Sequence, residues 1–137
     1  MLHRRFRARD SARAVGRRLC HEPAGHARTN RETWPRALGL DAEDLSAITA
    51  RANDNLRVLG LRFTNDRGCP PERFETLRTT LGPSFEGIEI DSSPGNAAGI
   101  EPSAHSVLTI SLVDEPGHPT RVALDRVLTF LAERLRG

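Results

Sequence analysis

The chain has 137 residues and a formal charge of +2, about one domain's worth. All twenty basic residues are arginine, and two cysteines, Cys20 and Cys69, are too few for a disulfide framework. No apolar run nears the roughly 18 residues of a spanning helix, and the basic start MLHRRFRARDSARAVGRR has no apolar stretch behind it; the expectation is a cytoplasmic protein without a membrane segment.

The charge is divided unevenly along the chain. Residues 1–36 carry ten arginines against Asp10, Glu22 and Glu32, a formal +7, whereas the rest carry ten against fifteen acids, a formal −5. The first segment has no sustained apolar period and reads as a disordered or loosely helical arm. Its arginines would suit phosphates, with steep salt dependence. It holds only Phe6 and Trp34 as aromatics, has no recognition motif and precedes an acidic body, so nucleic acid is not the expected partner. Codon usage in a GC-rich genome accounts for the arginine bias, and a misassigned start would produce the same arm. CHEPAGH offers Cys20, His21 and His26, whose spacing matches no structural zinc pattern; no metal or cofactor is expected.

Residues 37–137 read as the body. In LGLDAEDLSAITARANDNL, Asp41 is an N-cap with Glu43 and Asp44 in the first turn, Leu45, Ile48 and Ala52 share a stripe, and Asn53-Asp54-Asn55 ends the helix. RVLGLRF crowds Val58, Leu59, Leu61 and Phe63 together, as in a strand buried on both faces. PPERFETLRTTLG is a helix with Pro71 in its first turn, Phe74, Leu77 and Leu81 on one face and Gly82 as its stop. FEGIEID is a second strand, and about twenty residues between the two strands allow a right-handed crossover and a parallel pair. Residues 91–106, rich in glycine, proline and serine, are a long loop, and HSVLTISLV is either a short strand or a packed turn. PTRVALDRVLTFLAERL closes the body with an amphipathic stripe of Leu124, Val127, Leu128, Leu131 and Leu135. The order belongs to an α/β class with parallel strands and crossover helices.

VLGLRFTNDRGCPPERF, then IEID running into SSPGN, then AHSVLT and DEPGHPT before a final helix, resemble the C-terminal part of a dienelactone-hydrolase-like α/β-hydrolase. The resemblance covers about residues 37–137, roughly three quarters of the chain. It implies hydrolysis of a carboxylic ester or lactone without metal or cofactor, by nucleophile, acid and histidine in chain order. The acid of such a triad follows a strand's carboxyl end, where Asp66 stands, and the histidine follows the last long strand, where His105 stands. His105 would then be the general base, held by Asp66.

The resemblance stops at the nucleophile, since no G-x-S-x-G or G-x-C-x-G occurs. The elbow and the oxyanion loop belong upstream of residue 37, where this chain has the arginine arm. Ser92, Ser93 and Ser106 could in principle come close to the candidate histidine, but none occupies an elbow. The expectation is therefore a truncated or split hydrolase, incomplete as a sheet, acting on a small ester or lactone if active. The alternative is a non-catalytic interaction protein that self-associates, or pairs with a chain supplying the missing half, through an open sheet edge. His118 in GHPT is the rival histidine, Asp91 a substitute acid or a turn starter, and Cys69 a nearby thiol or a small core filler.

Overall fold

In the computed structural model, residues 34–136 are described. The first described element is Trp34–Arg36, a 3-10 turn that the sequence assigned to the arm. Its indole lies under the guanidinium of Arg73, 5.5 Å from carbon to ring centroid, and Leu38 just beyond is buried. A cation–aromatic contact beside a core leucine is reason enough for the body to start earlier than composition alone indicates. The Cys20, His21 and His26 group lies outside the described residues.

Helix α1 (Ala42–Asn53) starts where Asp41 Oδ1 accepts the Asp44 N–H at 2.8 Å. It ends at Asp54, after which Asn55 takes φ 74°, a left-handed conformation that asparagine tolerates. Strand β1 (Val58–Phe63) then runs to helix α2 (Pro71–Leu81), which Gly82 ends at φ 51°. Strand β2 (Phe85–Ile90) pairs with β1 in parallel, from Val58 opposite Phe85 to Phe63 opposite Ile90. Helix α3 (Pro119–Leu135) closes the chain. This is an α/β arrangement, a two-stranded parallel sheet with helices on both faces. HSVLTISLV is a packed turn, closed by the Ser106 carbonyl, which accepts from the N–H groups of Thr109 and Ser111 at 3.4 and 3.0 Å.

The period-two alternation of the strands divides the core. Val58 and Phe85 join Phe74, Leu77 and Leu81 of α2 with Leu38, Ala52 and Cys69. On the other face Phe63 and Ile90 join Ile100, Ala104, Val107 and Ala123. Cys69 is buried among apolar neighbours, the filler reading. Gly60 and Gly87 face each other across the ladder beneath the edge-to-face pair Phe74–Phe85, whose centroids lie 5.3 Å apart. A Cβ on either glycine would come within 3.0 Å of Phe74, so the ring pair needs both positions bare.

The stripe of α3 departs from its reading. The helix buries Thr120 and Ala123, while Leu128, Leu131 and Leu135 are exposed. Seventeen helical residues span roughly 25 Å, and two strands about 5 Å apart present too narrow a face to cover them. Among the described residues no further strand extends the sheet, so both edges are open. No helix is long and apolar enough to cross a membrane among the described residues.

Ion pairs tie the helices to the sheet. Arg126 of α3 grips Glu86 of β2 with two bonds of 2.6 and 2.5 Å, and these bonds hold the Glu86 carboxyl below its ordinary value of 4.5. Burial pushes the Glu89 carboxyl up, but Arg78 and Arg62 together outweigh it and leave it lowered as well. Carboxyls depressed in the folded state contribute stability above their unfolded value, and that contribution disappears as pH falls through the folded one. Urea midpoints measured from about pH 7 to about pH 3 should therefore stay level to about pH 4.5 and then drop. In Glu86→Gln/Glu89→Gln that drop should shrink; an unchanged profile would place the acid sensitivity elsewhere.

Candidate active site

Both strands end on the same side, and the loops after them meet there, as ligand sites of open α/β sheets do. The first loop, Thr64 to Cys69, is held from below by Arg62, whose side chain is 1% exposed. Its Nε donates to the Cys69 carbonyl at 2.8 Å, Nη2 to the Thr64 carbonyl at 3.0 Å and Nη1 to Glu89 at 2.5 Å. One guanidinium thus pins both ends of the loop that carries Asp66. From above, the Asn65 N–H donates to Ser92 Oγ at 3.1 Å and the Asn65 amide to the Pro102 carbonyl at 2.8 Å. The Ser92 N–H returns a bond to Thr64 Oγ1 at 3.1 Å. Loop is stitched to loop.

The second loop is closed on itself by Asn96, whose side chain donates to the Ile100 carbonyl at 2.6 Å and accepts the Ile100 N–H at 2.9 Å. Ile100, Ala104 and Val107 are buried and seat it on the α3-side core. His105 lies between two of those anchors and is 47% exposed. Its Nδ1 is 2.7 Å from Asp66 Oδ2. The Asp66 side chain is only 5% exposed, and its other oxygen accepts the Gly68 N–H at 2.7 Å. With the aspartate ionised, Nδ1 carries the donated proton and Nε2 is left as the basic nitrogen. The arrangement is a buried acid, an oriented imidazole and a free base position.

Gly68 keeps this geometry by absence. It lies outside the left-handed region, so space and not conformation demands a glycine. A Cβ there would stand 2.9 Å from His105 Cε1 and 3.2 Å from both Asp66 Oδ1 and His105 Nδ1. The half-exposed ring can swing outward, so Gly68→Ala should cost little stability, about 1 kcal/mol or less in a urea titration. Hydrolysis dependent on the pair should fall on the order of 100-fold, because displacement by about 1 Å spoils a reacting geometry. Equal rates for Gly68→Ala and the parent chain would mean that the observed ring position does not matter.

The other candidates are distributed differently. His118 is the N-cap of α3, where its Nδ1 accepts the Thr120 N–H at 3.3 Å and meets Thr120 Oγ1 at 2.8 Å. It does not meet Asp66. Asp91 is exposed and accepts the Ser93 N–H at 2.8 Å, the turn-starter reading. Ser92 is fully buried as a staple. Among the described residues neither Ser92, Ser93 nor Ser106 makes a side-chain hydrogen bond to His105. Sequence reasoning passed over Arg62, Asn65, Gly68 and Asn96; the one signal available for Arg62 was a lone charge inside an apolar strand.

A cleft of about 570 Å³ opens beside His105, walled by segments 98–106 and 110–113 and reaching His118. Comparison with protein-family models, with curated proteins and with solved structures finds no match to this chain.

Proposed function

We propose that Asp66 and His105 are the acid and base of a hydrolytic site for carboxylic esters or lactones, the activity implied by the resemblance to dienelactone-hydrolase-like enzymes. The observation that supports this most is the 2.7 Å bond between a buried carboxylate and a half-exposed imidazole beside a cleft. In this reading Nε2 removes the proton from a hydroxyl or thiol as that atom attacks the acyl carbon. The tetrahedral oxyanion collapses, the alkoxide leaves with the proton from Nε2, and water repeats the sequence on the acyl group. Asp66 stays ionised and holds the tautomer throughout.

On the pattern of the resembled family, the nucleophile and the oxyanion donors would come from outside residues 34–136. A parallel strand laid on the edge of β1 that no described strand pairs would end beside the Asp66 loop, which is where a nucleophile must stand. A purified 137-residue chain is assayed on a small neutral activated ester beside His105→Ala. Turnover above buffer that is lost in the variant supports the proposal. Turnover that the variant retains overturns it.

Among the described residues both sheet edges are unpaired and the leucines of α3 exposed, which favours a second reading, a protein that pairs with itself or with a complementary chain. Folded chain without turnover, sedimenting as a dimer or larger, would fit that reading instead.

A further inference from the structure

The composition of the cleft beside His105 goes beyond what an acid–base pair requires. About 570 Å³ is room for a small organic ligand. Ile100, Ile110, Leu112 and Val113 form its apolar walls, with Ile110 91% exposed as a lip at the mouth. Among the described residues Glu101 is the only lining residue of fixed charge and no arginine lines the cleft. Eleven arginines lie within residues 34–136, and none of them lines this cleft. Four of these guanidinium groups are engaged with acids elsewhere: Arg62 and Arg78 on Glu89, Arg126 on Glu86, and Arg121 on Asp114 and Asp125.

An apolar acyl group entering this cleft loses water-exposed surface at a gain of roughly 25 cal/mol per Å². A carboxylate entering it would give up its hydration, find no guanidinium among the described lining residues to replace it and face Glu101. The second imidazole offers a neutral donor and not a guanidinium, because His118 Nδ1 accepts the cap N–H and Nε2 carries the ring proton. We infer that the cleft receives the acyl portion of a neutral, apolar ester or lactone and rejects an acyl group bearing a carboxylate. The inference rests on the hydrolytic reading above for its substrate, but its selectivity is read by binding alone.

Two uncleavable amides of equal length make the test: butyranilide, which is neutral, and succinanilate, which carries a carboxylate. Each is titrated into the full chain at about pH 8, which limits the contribution of imidazolium, while the methyl resonances of Ile110 and Val113 are followed. Butyranilide should shift both resonances and bind at least about tenfold more tightly than succinanilate. Glu101→Gln should narrow that ratio and Glu101→Arg should close or reverse it, since each step removes repulsion or adds a partner for the carboxylate. Equal or tighter binding of succinanilate by the parent chain overturns the inference. So does the absence of any shift from either amide at millimolar concentration. Neutral-selective binding in a chain that hydrolyses nothing would remove the catalytic reading and leave the cleft's selectivity standing. Hydrolysis lost in His105→Ala, with charged and neutral esters cleaved equally well, would do the opposite.

Discussion

Asp66→Asn is expected to lower kcat/KM for a neutral activated ester by roughly 10³–10⁴-fold in any preparation that turns the ester over. The substitution is nearly isosteric, and its consequence follows from the two bonds the carboxylate accepts. One oxygen takes the Gly68 N–H at 2.7 Å, the other the imidazole at 2.7 Å. Asparagine has a single oxygen, and the Gly68 N–H, a fixed backbone donor, claims it. The amide NH₂ is then turned towards His105 Nδ1, which must accept instead of donate. The imidazole proton moves to Nε2, the atom that has to be empty to receive the nucleophile's proton. The wrong tautomer is thereby locked in without disturbing the fold. Thermal unfolding should shift by a few degrees at most, which separates this outcome from general damage. Asp66→Asn with a rate within about threefold of the parent would show that the pair takes no part in turnover.

The parts of the molecule legible in sequence are those decided by near neighbours in the chain. Asp41 before an acidic first turn, Pro71 in the first turn of α2 and Gly82 after it each answer a local question, where orphan N–H and C=O groups find partners. The parallel pairing followed from the length of the crossover, while Asp66 and His105 were singled out by the family resemblance, the one just past the first strand and the other in the long loop after the second. What escaped was decided by distant residues. The apolar period of α3 states which face is apolar but not whether anything covers it, and a two-stranded sheet covers little beyond Thr120 and Ala123. HSVLTISLV has strand-like composition, yet the Ser106 carbonyl closes it into a turn. Trp34 belongs to the body because Arg73, far along the chain, lies over its ring. A charge in an apolar strand marks Arg62 as unusual, but its three acceptors cannot be read from the run that contains it.

Arg62→Met is expected to destabilise the chain by about 3 kcal/mol, the low end of the range for breaking a buried ionic cluster from one side. The low end applies because Glu89 would keep a partner, Arg78 at 2.6 Å, in partial contact with water. The Thr64 and Cys69 carbonyls would lose their guanidinium donors, and Arg62 itself is 2% exposed, so those bonds are lost where water does not readily replace them. Against a total of roughly 5–15 kcal/mol for a small domain, the loss is large. It should appear as a lower urea midpoint with an unchanged slope. Glu89→Gln separates the two roles of the guanidinium. If the ion pair dominated, the two variants would cost about the same. If the loop clamp dominates, Glu89→Gln should be the milder by at least about 1 kcal/mol, because its two carbonyl bonds survive. The clamp also predicts an effect beyond stability: in the fraction of Arg62→Met that remains folded, the Asp66 loop is no longer pinned at its ends. The downfield proton resonance of the His105–Asp66 hydrogen bond should broaden or vanish there while persisting in Glu89→Gln. A sharp resonance in folded Arg62→Met would show that the stitching through Asn65 and Ser92 is sufficient to position the acid.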